Sequence, residues 1–163
     1  MKLKFNAIAV MLIVITVLSC ADKKLDRKKP DDFSFFIVGA TDKYDSGSGI
    51  YTRRYIKRDS SIQVMLTEKE LNLVYDLFKE YDFMSFPKEF ESDSTIIVQP
   101  SFSTTAEITY KGLHKEVTFS DEYGKKLDQK RSNDFNQFCS RIRKIINEKE
   151  QVKDMPPCNL IFL

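Results

Sequence analysis

The sequence has no tryptophan, a single histidine and three cysteines in 163 residues. Three cysteines cannot build the disulfide framework of a small secreted scaffold, nor a closed four-cysteine zinc site. The lone histidine, His114, leaves no pair of imidazoles for a metal, and its neighbours name neither a nucleophile nor an orienting group. The expectation is no metal, no cofactor and no assignable catalytic residue, with His114 an exposed strand residue. Five glycines and five prolines are too few for a collagen-like or low-complexity chain. An excess of one charge is missing too. Lysine plus arginine total 26 against 24 acidic residues, a formal charge of +2, which argues against a nucleic-acid partner. What is there is 42% hydrophobic and 31% charged, the composition and length of one globular domain.

The one long hydrophobic run lies at the start. Lys2 and Lys4 precede 14 mostly apolar residues, Phe5 to Leu18. A membrane-spanning helix needs about 20, whereas a secretory signal peptide needs roughly 7–15. The run ends in Val17-Leu18-Ser19-Cys20 and turns polar at Ala21-Asp22-Lys23-Lys24. This edge resembles the lipobox of bacterial lipoproteins, with a small residue, Ser19, before the obligatory cysteine, Cys20. Leu18 is bulkier than that family's commonest residue at its position. The resemblance covers residues 1–20. It implies a signal peptide over 1–19, cleavage between Ser19 and Cys20, and a diacylglycerol thioether on Cys20. Only a thiolate is nucleophilic enough for that bond. Each buried methylene of an acyl chain contributes ~0.8 kcal/mol, so two or more chains anchor a protein stably.

Cleavage would remove Lys2 and Lys4 and no acid, leaving 24 basic residues against 24 acidic ones. Residues 21–32 carry nine charges in twelve and cannot bury enough apolar surface to offset their ordering entropy. Residues 20–32 therefore read as a lipidated cysteine and a solvated tether, and 33–163 as one domain. The resemblance places the protein in the cell envelope, membrane-bound through its lipid. In lipoproteins of the Bacteroidota type an acidic cluster just after the cysteine favours surface display; with one acid and two lysines there, the resemblance implies the periplasmic side of the outer membrane.

The body alternates in period. Phe33 to Val38 reads as a buried strand, and Thr41 to Gly49 as a loop. Ile50–Lys57 and the run Ile62, Val64, Leu66 read as a hairpin. Thr67-Glu68-Lys69-Glu70 is a capping box. It opens a helix whose stripe is Leu71, Val74, Tyr75, Phe78 and Tyr81 and which ends near Asp82. Phe83, Phe86 and Phe90 flank Pro87 in a loop expected to plug one end of the core. Ser103–Tyr110 and Leu113–Phe119 form a second hairpin about Lys111-Gly112. Asp121–Lys130 is a charged loop, and Phe135, Phe138, Cys139, Ile142, Ile145 and Ile146 stripe a helix over about 132–148. This predicts an α+β domain, an antiparallel sheet with two helices packed on one face, in a loose ββα repeat. The element order resembles the ββα repeats of periplasmic inhibitor-type and PepSY-like domains.

Candidate sites are few. Tyr51, Arg53 and Tyr55 share one strand face by period two. Aromatic faces beside a guanidinium suit a cell-wall glycan, a peptide or an anionic group of an envelope protein; cross-strand packing is the other reading. Glu107 and Glu116 are an acid pair that folding could assemble into a hydrolase site. Asp42, Asp45 and Gly47 lack the alternate spacing and terminal Glu of a calcium loop. Ser46-Gly47-Ser48-Gly49 fits neither a nucleophile elbow nor a phosphate loop. The apolar end, Leu160 to Leu163, is expected to pack on the domain. Cys139 and Cys158 lie within reach of a disulfide, the alternative being a buried free thiol. The reading is a binding module, with a periplasmic hydrolase as the alternative.

Overall fold

Period-two alternation builds the first strand: in β1 (Ser34–Val38) Phe35 and Ile37 are buried, while Ser34, Phe36 and Val38 stay half-exposed. The computed structural model describes residues 28–93, 100–121 and 126–162; the expected signal peptide, Ser19 and Cys20 lie outside them. After β1 come β2 (Asp42–Asp45), β3 (Ile50–Arg53), β4 (Ser60–Gln63) and helix α1 (Glu68–Glu80). A 3-10 turn (Phe83–Ser85), β5 (Ser103–Tyr110), β6 (Leu113–Ser120), α2 (Gln129–Asn147) and the short α3 (Glu150–Lys153) complete the order. The strands make one antiparallel sheet, ordered β4-β3-β2-β1-β5-β6. The fold is α+β, as the sequence predicts.

Register decides which residues share a face. Ile37 pairs with Tyr44 and Ala106, Tyr44 with Tyr51, and Ala106 with Val117. These residues, with Phe35 and Ile108, join Val74, Tyr75 and Phe78 of α1 and Phe135, Phe138 and Ile142 of α2 in one buried cluster. The Phe33 ring meets Tyr75 edge-on at 5.1 Å. Phe83, Phe86 and Phe90 are buried, and all three rings reach Phe135 within 6.5 Å. The aromatic loop thus closes one end of the core.

Local signals hold at the helix starts. The Thr67 hydroxyl accepts from the Glu70 amide at 3.3 Å, and a Glu70 carboxylate oxygen accepts from the Thr67 amide at 2.7 Å. Lys111 and Gly112 turn β5 into β6 with φ of 49° and 72°, the positive values a two-residue hairpin turn needs. The Asp32 carboxylate accepts from both of their amides, at 3.1 and 2.6 Å. It ties the start of the domain to that turn.

Three expectations are corrected. Thr41–Gly49 is not all loop, since it contains β2. Only Tyr44 is apolar there, so no alternation was visible. The loop reading survives in Ser46–Gly49, which closes the β2–β3 hairpin with Gly49 at φ +66°. The chain leaves β3 at Arg53 and β4 at Gln63, earlier than Lys57 and Leu66. Helix α2 begins at Gln129, not near 132, because Asp128 caps it by accepting from the Arg131 amide at 3.0 Å. Four strands therefore precede the first helix and two precede the second, so the two halves are unequal.

Candidate functional site

The expected patch on β3 is occupied by the protein itself. Tyr51 is 2% exposed and belongs to the core. Arg53 Nη1 donates to the carbonyls of Met155 and Pro156 at 2.9 and 2.8 Å, and Nη2 to Val152 at 3.3 Å. The Tyr55 hydroxyl donates to the Pro156 carbonyl at 2.7 Å, and the Ile56 amide to Asn159 Oδ1 at 3.1 Å. Tyr51, Arg53 and Tyr55 do come together, but Arg53 and Tyr55 hold the end of α3 and the segment that follows it, and the Tyr51 hydroxyl accepts from Arg53 Nε at 3.3 Å. The reading of an exposed patch is corrected: β2 and β3 turn this face towards the core. Burial pushes the Tyr51 hydroxyl above its ordinary range. The neighbouring Tyr44, donating to the Val64 carbonyl at 2.9 Å, is pushed up to about 12 by burial.

A shallow cleft of about 490 Å³ remains beside Arg53, lined in part by Asp42, Lys153 and Cys158. Cys139 and Cys158 are both free thiols in this structure, the second of the two readings the sequence left open. Cys139 sits on the buried stripe of α2, and burial pushes its thiol up to about 12. Asp42 faces the core side, its Oδ1 3.4 Å from Arg143 Nε. Asp45 points to the other face, where its two oxygens accept from the Gly47 amide and the Ser48 hydroxyl. The two aspartates thus lie on opposite faces and do not converge on a cation.

The face away from the helices carries the second candidate. Across four strands, the register aligns Asp45, Phe36, Glu107 and Glu116 in one row. One step along, Ser34, Thr109 and His114 form the next. A cleft of about 400 Å³ is lined by Ser34, Phe36, Asp45, Glu107, Thr109 and His114. His114 is exposed, its Nε2 3.7 Å from Glu107 Oε2 and its Nδ1 3.5 Å from the Thr109 hydroxyl. Glu107 and Glu116, the acid pair weighed from sequence, face each other directly. Like charges opposed across strands destabilise a sheet; Lys43, opposite Val38, lies on the same face. Phe36 between two carboxylates offers a ring and negative charge to a cationic or amphipathic partner.

Sequence reasoning missed Ser34 and Phe36, reading Phe33 to Val38 as one buried strand, and weighed Asp45 only for a calcium loop. Their neighbours depend on pairings between distant segments. Among the described residues no group of three or more His, Cys, Asp or Glu side chains is placed to hold a metal. Nor is any described helix long and apolar enough to cross a membrane. No protein-family model matches the chain, and no curated protein is significantly similar to it.

Proposed function

We propose that this chain is a lipid-anchored cell-envelope protein that acts by binding, with the open face of its sheet as the working surface. The observation that carries the anchor is the Val17-Leu18-Ser19-Cys20 edge at the end of a signal-length apolar run. The binding role is supported by the row Asp45, Phe36, Glu107 and Glu116. Glu107 and Glu116 oppose each other there at a cost to the sheet, and a partner that neutralises them offsets that cost. Its partner is a cationic segment of an envelope protein or an amine-bearing cell-wall peptide. Location on the periplasmic side of the outer membrane belongs to the same proposal.

A carboxylate hydrolase at Glu107 and Glu116 is the competing reading, and their direct opposition favours it. The pair lies on an open sheet face, where bulk water screens both charges, so binding is the better fit. Radiolabelled palmitate fed to growing cells should enter the wild type and not Cys20→Ala. Equal labelling of both would end the anchor proposal. Crosslinking in the native envelope should capture a partner that Glu107→Lys with Glu116→Lys loses; undiminished capture would remove the sheet face from consideration.

A further inference from the structure

Three large apolar side chains stand out at the far end of the domain. Ile56 is 60% exposed, Ile161 74% and Phe162 45%. They come from separate segments that the fold brings together. The Ile56 amide is bonded to Asn159, two residues before Ile161. The Phe162 ring meets Phe102 at 4.8 Å and shares a shallow cleft with Arg54, Val38 and Ser103. The tail is held upstream by its carbonyls at Arg53 and Tyr55, and beyond that anchorage Ile161 stays exposed, as does Ile56, while Phe162 keeps one side on Phe102. Of the expected packing of Leu160–Leu163 on the domain, Phe162 makes a contact with Phe102 and Ile161 makes none that buries it, and Leu163 lies outside the described residues.

Charge surrounds them asymmetrically. The run Arg53-Arg54-Tyr55-Ile56-Lys57-Arg58-Asp59 carries four cations and one acid, with Lys57 and Arg58 exposed. Asp121, whose amide donates to the Phe102 carbonyl, is an acid at the other rim. Protruding apolar side chains beside lysine and arginine, with a tyrosine among them, are what an interfacial membrane contact uses. A second copy fits poorly, because apposing two such patches sets Lys57 and Arg58 against their equivalents.

Position adds to this. Residue 28 leads into β1 at the end of the sheet where Asp32 holds the Lys111-Gly112 turn. The patch lies at the other end, beyond Val38, Arg53 and Ser103. The eight residues of β5 separate the two ends by roughly 25 Å at about 3.4 Å per residue. We infer that Ile56, Ile161 and Phe162, flanked by Arg54, Lys57 and Arg58, form a docking surface for an anionic bilayer at the pole opposite the chain's entry. This contact does not rest on the lipid anchor. With the anchor present, it would let one molecule touch two bilayers.

The test uses the full chain purified from the native envelope and incorporated into phosphatidylcholine vesicles. These are mixed with dye-labelled vesicles that contain phosphatidylglycerol or lack it. Docking, read by energy transfer between the vesicles, should occur with the anionic population alone. It should fall roughly tenfold or more in Ile161→Ser with Phe162→Ser, and as far in Lys57→Glu with Arg58→Glu. All four positions are exposed, so unchanged thermal unfolding of each variant confirms an intact fold. Docking to neutral vesicles, docking indifferent to both double variants, or docking only when both populations carry the protein would overturn the inference. Should the chain fail to enter the first vesicles, the anchor proposal fails. Flotation of the soluble protein with the anionic vesicles then reads the same contact directly.

Discussion

Arg53 shows what one side chain does when the fold recruits it. Its guanidinium reaches three carbonyls, those of Val152, Met155 and Pro156, an array the fork geometry of arginine suits and the point charge of lysine does not. Arg53→Lys should cost about 2 kcal/mol, the order of a lost hydrogen bond to a charged group. It should also raise amide hydrogen exchange over 152–160 while leaving β1 and β5 protected. A variant with unchanged exchange in the tail would show that Tyr55 and Asn159 suffice. The thiols make a second prediction at this scale. Cys139 is 1% exposed with its thiol pushed up to about 12 by burial, whereas Cys158 is partly exposed. Iodoacetamide should modify Cys158 in the native protein and Cys139 only after unfolding, read by peptide mass. Protection of both until a reductant is added would mean a disulfide forms after all.

Among the elements, α1 depends most visibly on its first turn. The Thr67–Glu70 box closes it, and Lys149, just before α3, adds bonds of 3.1 and 3.0 Å to the Glu70 carboxylate. Thr67→Ala should cost about 1 kcal/mol by denaturant unfolding. Burial pushes the Glu70 carboxyl upward, but the Thr67 amide and Lys149 outweigh it and hold the group below its ordinary range. The sign follows. A carboxyl depressed in the fold adds stability above its unfolded pKa of about 4.3, and that stability is lost as pH falls through the lower folded value. Asp32 has the same sign, the Gly112 amide being the main cause. Glu70→Gln should therefore flatten the acid limb of the melting-temperature curve; an unchanged limb would mean the group titrates alike in both states. In the β2–β3 hairpin, a Cβ on Gly49 would collide with the Met65 sulfur, and its φ of +66° strains any other residue.

Over the whole molecule, one face of the sheet carries the helices and the core, and the other carries opposed carboxylates. If that face is kept for binding, relieving the repulsion should stabilise the fold while harming recognition. Glu116→Lys replaces a repulsive pair by an attractive one, worth about 0.2–1 kcal/mol. Its melting temperature should rise by a few degrees, and its partner capture should fall. A rise with full capture would mark the acids as incidental to binding.

Much of this fold was legible before folding was considered. The capping box, the two apolar stripes and the Lys111-Gly112 turn are local, written within four to ten residues and decided by side-chain spacing and backbone preference. The signal-length run ending at Cys20 is local in the same sense. β2 was not legible, since a strand with one buried residue is held by its neighbours and not by its own pattern. Nor was the fate of Tyr51, Arg53 and Tyr55. Period two says that they share a face, but which side that face takes depends on pairing with β1 through β2, and its occupant comes from a hundred residues further on. The sequence by itself determined the two main helices, the β5–β6 hairpin and the charge balance. Only the tertiary structure decided that one aromatic face would be filled by the chain's own end, and that Glu107 and Glu116 would meet in the open, because contacts between distant segments are set by register and packing.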